Sequence, residues 1–276
     1  FYDKPGFYFA RVYASRSYVL GVKVDGNVPE GMQISADDPV RSFRSCKTDE
    51  GEIVLIGGEG HKTGQGGETS IRYDRLKKYA ESVYRIKSVD YMWSAQDPMT
   101  VDSVPYIGRL TSDNDRIFVA TGFGKWGMTN STAAAMIITD MALGKENPWA
   151  EVFDPSRFTV TASMKELIKE NINVAGKFIE GKLSLNVDTH GEIAEGEGKI
   201  MDVNGVKAVV YKDIDGRIHA HNPACTHMGC QVSWNDAEKT WDCPCHGSRF
   251  NLGGEVIEAP AVNKLEKLDI SQQDLT

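Results

Sequence analysis

The stretches CTHMGC at residues 225–230 and CPCHGSRF at residues 243–250 decide how the last third of this chain folds. They hold four of the five cysteines, with histidines set among them. A scattered, even set of cysteines would predict a disulfide framework, whereas a tight set with interleaved histidines predicts a metal site. The fifth cysteine, Cys46, stands alone in RSFRSC and is expected to be a free thiol.

The two boxes, with residues 231–242 between them, resemble the paired loops of the Rieske family. The resemblance implies a [2Fe–2S] cluster, with Cys225 and Cys243 as thiolate ligands of one iron and His227 and His246 as ligands of the other. Neutral imidazole ligands leave such a cluster less negative than one held by four thiolates. The reduction potential of Rieske clusters is therefore higher than that of clusters held by four thiolates.

The same resemblance implies a loop-to-loop disulfide between Cys230 and Cys245, as in the high-potential branch of the family. Members of that branch also have a serine, and a tyrosine two residues later, that donate hydrogen bonds to sulfur. Ser248 is present here, but Phe250 has no donor. We therefore predict a potential below that of the respiratory members. The outer nitrogens of both histidine ligands are expected to face solvent.

Two other metal sites are compatible with some of these residue types. Zinc also binds cysteine and histidine, although the spacing is not an ordinary zinc spacing. A Rieske oxygenase would need a second iron site, with two histidines and a carboxylate. The histidines outside the boxes are His61, His190, His219 and His221, and they form no helical His-x-x-x-His pair. Both alternatives are therefore disfavoured.

The upstream part of the chain predicts a mixture of strands and helices. Strands are expected in residues 1–56 and 116–122, and helices over 70–84 and about 163–178. The glycine-rich stretch at 57–68 is expected to be a loop. It lacks the G-x-G-x-x-G spacing of a dinucleotide fingerprint. His61 in this stretch is expected to be solvated.

Two upstream segments, WSAQDPMTVDSVPYIG at 93–108 and RIFVATGFGKWGMTNSTAAAMIITDMALG at 116–144, resemble a known family. They are similar to the C-terminal portion of FAD-dependent amine and amino-acid oxidoreductases, the D-amino-acid-oxidase superfamily, over about residues 1–155. The resemblance implies a glycine turn and a helix start that approach the flavin ring. The implied FAD contacts are Gly122, Gly124, Gly127, Met128 and Thr129.

Some details of this segment are open from the sequence. A tight strand-to-helix connection packed on a core is the alternative to a flavin-binding turn. Thr129 or Asn130 is expected to cap the helix that follows. Core and flavin-facing positions are equally compatible with Trp93, Trp126 and Tyr106.

The predicted fold class is α+β. We expect an incomplete FAD-oxidoreductase portion of sheet and helices over residues 1–160, a helical linker over 161–182, and an all-β Rieske domain over 183–276. Asn-Gly and Asp-Gly pairs between short apolar runs predict hairpins in the last part. The family's dinucleotide-binding unit is absent from this sequence, so the chain is expected to be the latter part of a larger oxidoreductase.

Composition narrows the function further. The net charge of −8 disfavours nucleic-acid binding, and no apolar run approaches the ~18 residues of a membrane span. A cytoplasmic location is the default expectation. The sequence predicts electron transfer through the cluster, in a fragment of a flavin-dependent oxidoreductase acting on an amine or amino acid. Its redox partner and its catalytic residues are unknown. The alternative is a pure electron-transfer protein with the upstream part as docking platform.

Overall fold

The computed structural model describes residues 5–157, 160–183 and 192–275. We use "upstream region" for residues 5–157 and "C-terminal region" for residues 192–275. The elements of the upstream region are α1 (Tyr8–Arg11), β1 (Val12–Asp25), β2 (Gln33–Ile34), β3 (Ser42–Thr48), β4 (Gly51–Lys62), α2 (Ser70–Val83), β5 (Arg85–Thr100), β6 (Tyr106–Arg109), β7 (Phe118–Thr121), α3 (Gly127–Ala142) and α4 (Ala150–Phe153).

The upstream sheet has the strand order β2-β3-β4-β1-β5, and its pairs are antiparallel. Alternate residues of β1, among them Tyr18, Leu20 and Val22, are buried on one face. They pack against Leu76 and Ala80 of α2, which covers that face. This packing fixes which side chains of the sheet point away from α2, and it leaves β5 as an edge strand among the described strands.

The prediction for the upstream strands was wrong at one point and incomplete at another. β4 continues to Lys62, so the glycine-rich stretch at 57–68 is half strand. The sequence assigned no element to residues 91–109, and the first part of that segment belongs to the long strand β5, which ends at Thr100. Pro98 fits there because an edge strand need not donate every backbone N–H to a neighbour.

A hairpin of β6 and β7 precedes α3, and Ile107 packs with Ala134 and Ile137 of that helix. The helix begins at Gly127 without a side-chain cap, so the predicted cap by Thr129 or Asn130 was wrong. The side-chain amide of Asn130 donates instead to the carbonyl of Phe123, at 3.1 Å.

The C-terminal region is built from two small antiparallel sheets. Their strands are β8 (Gly198–Val203), β9 (Val206–Lys212), β10 (Ile218–His221), β11 (Ser233–Asn235), β12 (Thr240–Asp242), β13 (Arg249–Phe250) and β14 (Val256–Glu258), and a 3-10 turn (Gln272–Leu275) follows. The Asn-Gly and Asp-Gly pairs lie in the β8–β9 and β9–β10 turns, as predicted. The α+β class with a sheet-rich end is confirmed.

Helix α5 (Val160–Leu183) occupies the stretch predicted as a linker. The predicted boundary at 183 is its last residue, and residues 184–191 lie outside the described residues. The helix contacts both regions. Glu170 pairs with Lys62 of β4, while Val174 and Phe178 pack against the core of the C-terminal region. A search of the described helices finds none both long and apolar enough for a bilayer.

Candidate metal centre

The first predicted ligand loop, residues 225–230, is closed by its own backbone. The N–H of Cys225 donates to the carbonyl of Cys230 at 2.7 Å, and the N–H of Gly229 donates back to Cys225 at 2.8 Å. Gly229 has a positive φ of 78°, which favours a residue without a side chain. The loop therefore turns tightly and presents Cys225 and His227 from one short segment.

The second predicted ligand loop, residues 243–248, repeats this pattern. Cys243 N–H donates to the carbonyl of Ser248 at 2.7 Å, and Gly247 N–H donates to Cys243 at 3.0 Å. Gly247 has a φ of 80°. The two loops thus have the same hydrogen bonds at the same offsets, although their histidines stand at different offsets from the first cysteine. This equivalence is what a two-loop metal centre requires.

The structure brings the two thiol ligands together in the core. Cys225 and Cys243 are 2 % and 1 % exposed, respectively. A hydrogen bond from the Cys243 thiol lowers the pKa of Cys225 to about 7, and backbone N–H groups and the Ser248 hydroxyl assist. The same thiol contact, together with burial, raises the pKa of Cys243. Cys225 therefore loses its proton more readily than an isolated thiol, and the thiolate is the metal-binding form.

The two histidines also meet. The ring centroids of His227 and His246 lie 4.9 Å apart, with the rings nearly perpendicular. Phe9 of α1 lies edge-on to both rings, at 6.3 Å and 5.9 Å. Both ring nitrogens of His227 are buried, so the expectation that its outer nitrogen faces solvent was wrong. The reason is that the upstream helix lies beside the histidine end of the centre.

The remaining predicted residues surround this centre. Cys230 and Cys245 form a disulfide that joins the two loops. The Ser248 hydroxyl also accepts from the N–H of Ala261 at 2.9 Å, which holds it in place. Phe250 is fully buried in the core beneath the loops. Cys46 is free, as predicted, and it is exposed.

The donor set fits a two-iron cluster. Two buried thiols lie side by side, and two imidazoles lie together at the neighbouring positions of the same loops. Such a cluster needs two ligand pairs, whereas a single zinc ion needs one compact tetrahedron. Among the described residues, the compact group of possible ligands is Cys230, Cys243 and Cys245, two of which are consumed by the disulfide.

The structure places the predicted flavin-contacting residues at an open end of the upstream region. Gly122 and Gly124 have φ values of 75° and 56°, and α3 begins three residues later. Met128 in its first turn is 90 % exposed. Trp126 and Trp93 are also exposed, whereas Tyr106 belongs to the core. The helix start is therefore accessible to a ligand in this chain, whereas Gly122 is buried against Thr100.

Sequence reasoning missed Lys125, which lies between the glycines of this turn. Its φ is 71°, a left-handed conformation that a residue with a side chain adopts at a cost. A methyl group on Gly60 would lie 3.2 Å from its amine, so the lysine lies over β4. Lys125 is exposed as a whole residue, but desolvation of its amine lowers its pKa, and burial raises the pKa of the nearby Asp97. The sequence offers one signal for this residue: a lysine follows Gly122 and Gly124 in a turn where a glycine would adopt the backbone conformation with less strain.

His61 was expected to be solvated, and that was wrong. Its Nδ1 lies 2.9 Å from the carbonyl oxygen of Gln65, and its Nε2 lies 2.9 Å from the Tyr18 hydroxyl. A carbonyl only accepts, so Nδ1 carries the proton and Tyr18 donates to Nε2. Burial, with the nearby charge of Arg72, lowers the pKa of His61 to about 4.

Comparison with known families matches both halves of this architecture. Residues 4–141 match the FAD dependent oxidoreductase family, and residues 184–269 match the Rieske [2Fe-2S] domain. The chain belongs to the FAD dependent oxidoreductase family and carries a Rieske domain at its C-terminal side. The resemblances seen in the sequence are thus confirmed, and with them the implied cofactors, FAD and a [2Fe–2S] cluster.

Among individual proteins, the chain is 45 % identical over 270 residues to the putative Rieske 2Fe-2S iron-sulfur protein YhfW of Bacillus subtilis. The alignment covers 98 % of this chain and 53 % of that protein, so the chain spans about half the length of this curated relative.

Two further similarities each cover one region. The cytochrome b6-f complex iron-sulfur subunit of Chlorobaculum thiosulfatiphilum is 40 % identical over 76 residues, 28 % of this chain and 41 % of that protein. The crystal structure of glycine oxidase from Geobacillus kaustophilus aligns with a TM-score of 0.39 at 16 % identity, over 54 % of this chain and 40 % of that one.

Proposed function

We propose that this chain binds one [2Fe–2S] cluster through Cys225, His227, Cys243 and His246, and that it transfers electrons within a flavin-dependent oxidoreductase acting on an amine or amino acid. The observation that carries the proposal is the pair of equivalent loops. Each loop offers one thiol and one imidazole, and the thiols and the imidazoles meet pairwise.

When bound, FAD supplies two-electron oxidation of the substrate, and the cluster supplies one-electron transfer. The protein's own residues provide the setting. Backbone N–H groups and Ser248 stabilise negative charge on sulfur, and the Cys230–Cys245 disulfide joins the loops. Phe9 packs edge-on against both histidine rings and partly covers the histidine side.

A second function is favoured by a specific observation. The second loop touches the upstream region directly, since the side chain of Gln96 donates to the carbonyl of Gly247 at 2.9 Å. The upstream region could serve only as a docking platform for a pure electron-transfer domain. For both functions we propose the same domain division of the chain, into residues 1–160, 161–182 and 183–276.

The first test is metal analysis and low-temperature EPR of the chemically reduced chain. We expect two irons per chain and a Rieske-type signal. Cys243→Ser should abolish both, because the serine hydroxyl is a poor ligand for iron–sulfur clusters. Cys46→Ser is the matched control, since this exposed cysteine lies outside both loops, and it should keep both. Zinc without such a signal would refute the cluster assignment.

The second test separates the two functions and needs the longer protein that contains the dinucleotide-binding part. Amines and amino acids are added anaerobically, and the cluster signal is followed. Substrate-dependent appearance of the reduced-cluster signal is expected for the oxidoreductase. A flavin that is reduced while the cluster stays oxidised, or a protein that takes up no FAD, would favour the docking-platform function.

A further inference from the structure

The interface between the upstream and C-terminal regions, called the seam below, contains a buried ion pair between residues far apart in the chain. Arg16 of β1 is fully buried, and its Nη2 donates to Oε2 of Glu258 at 2.8 Å. Its Nη1 lies 3.5 Å from Oε2 of Glu238 and also bonds Ser94. An upstream guanidinium therefore has its carboxylate partners in the C-terminal region.

Arg249 supplies the other half of this network. It donates to Glu238 at 2.6 Å and to Glu258 at 3.3 Å, so each glutamate bridges one arginine from each region. Burial would raise the pKa of Glu238, but the Ser94 hydroxyl and the two guanidinium groups outweigh it, and the pKa is lowered. Directional pairing of buried charges is satisfied in one relative orientation only.

A second contact lies at the start of α2. The helix has no cap from its own N-cap side chain. Instead, Asp236 of the C-terminal region accepts from the N–H of Thr69 at 2.6 Å and from that of Ser70 at 3.3 Å. Free N–H groups at a helix start need such an acceptor. One region thus caps a helix of the other.

A third contact is the second metal loop itself. Gln65 donates to the carbonyl of Pro244 at 2.9 Å, and Gln96 donates to that of Gly247. A methyl group on Gly64 would lie 2.7 Å from the nitrogen of Pro244, so the two backbones are in direct contact. These contacts are separate from both the arginine network and the helix cap.

We infer that Arg16, Asp236 and the contacts of the second metal loop hold the C-terminal region, called the Rieske region from here on, in one fixed position on the upstream sheet. The cluster then exchanges electrons from this position without movement of the region. Regions joined in one chain usually move unless their interface is extensive. The three contacts lie on β1, at the start of α2 and after β4. Together they fix the relative orientation of the two regions, whereas a single contact would allow rotation about it. The inference rests on the proposed function only because the cluster is the electron carrier.

The test uses the full chain with its cluster. A gadolinium(III) chelate is attached to Cys46, the exposed free cysteine on β3, and pulsed dipolar EPR measures its distance to the reduced cluster. Hydrogen exchange at residues 69 and 70 is followed in parallel, since these amides are held by the other region and the readout needs no cluster. The variants are Arg16→Gln and Asp236→Ala, and Arg44→Gln, an exposed arginine of β3, is the control.

A fixed region predicts one narrow distance for the wild type and for Arg44→Gln. Arg16→Gln should roughly double the width of the distribution, and it should speed exchange at residues 69 and 70 by about tenfold, although it does not touch them. If Arg16→Gln fails to fold, Asp236→Ala must broaden the distance. A broad wild-type distribution, or unchanged distances and exchange in both variants, would overturn the inference. Loss of the cluster signal alone would refute the proposed function, while the exchange data still decide the inference.

Discussion

The two regions of the chain build their functional residues in opposite ways. In the Rieske region, the ligands and the disulfide come from residues 225–246, and each loop is closed by its own backbone. In the upstream region, the residues of interest come from distant strands and turns, such as Lys125 over β4 and His61 against Tyr18 of β1. One site is local in sequence, and the other depends on the tertiary fold.

This difference shows what each region can do alone. Short-range hydrogen bonds specify the shape of each cluster loop locally, while the upstream region adds contacts to the second loop and to the histidines. The glycine turn at 122–127 leads into an exposed helix start, where Met128 is 90 % exposed. The seam, where the two regions meet, is the place to test whether they are independent.

The largest effect is expected at Gly64, where that independence is broken. Gly64 has a φ of 68°, and an added methyl would meet backbone atoms of residues 242–244. Gly64→Ala should lower the free energy of unfolding by ~3 kcal/mol, from left-handed strain plus a backbone clash. Thermal and urea unfolding of the chain with its cluster measure this effect.

Gly67→Ala is the matched control for this substitution. Gly67 has a similar φ of 76°, but nothing lies within 4 Å of an added methyl. The strain alone should cost ~1 kcal/mol. Equal destabilisation by the two variants would show that the backbones of the two regions are not in close contact at Gly64.

The sequence predicted the Rieske region well because its signals are short-range. Ligand boxes, an Asn-Gly turn and an Asp-Gly turn act over a few residues, and each specifies its own geometry. The upstream strand β5 was missed because Pro98 obscured the pattern, and a proline's tolerance depends on which strand becomes the edge. That depends on the whole sheet and is not a property of the segment.

The seam could not be predicted from the sequence at all. Arg16 and Glu258 are separated by 242 positions, and nothing near either residue marks it as part of a pair. The same holds for Asp236, which lies in the turn between β11 and β12 and caps a helix of the other region. Likewise, the burial of His227 by Phe9 follows from docking, which no local pattern encodes.

A smaller effect is expected at His61, and it sharpens the comparison on the upstream side. Its pKa is lowered to about 4 when folded, from an ordinary value of 6.5. The unfolded chain therefore binds this proton near pH 6.5, while the folded protein resists it until about pH 4. Stability should fall as pH drops through this window, by ~2 kcal/mol after allowance for partial exposure.

The measurement is urea unfolding of wild type and His61→Gln between pH 4.5 and 7.5. The glutamine does not titrate, so the difference in stability between the two proteins isolates the titration of His61 from that of all other titrating groups. The difference should change below pH 6.5 in favour of the variant. Parallel pH curves would mean that His61 is solvated, as the sequence first predicted, and that its bonds to Tyr18 and Gln65 do not persist in solution.

The smallest effect concerns the Rieske region and tests how local its site is. Phe250 is fully buried below the loops, at the position where the high-potential branch has a tyrosine that donates to sulfur. Phe250→Tyr should therefore raise the reduction potential. A net hydrogen bond of ~1 kcal/mol corresponds to roughly 40 mV for one electron. Protein-film voltammetry at a single pH measures the shift.

Ser248→Ala should move the potential the other way, because it removes a hydroxyl that donates to Cys225. If both substitutions change the potential by the expected sign, the sulfur hydrogen bonds of the two loops set it, and the upstream region only holds the cluster in place. If Phe250→Tyr leaves the potential unchanged while Ser248→Ala lowers it, the added hydroxyl does not reach sulfur. The upstream contacts to the second loop would then be the next candidates, because they shape its backbone.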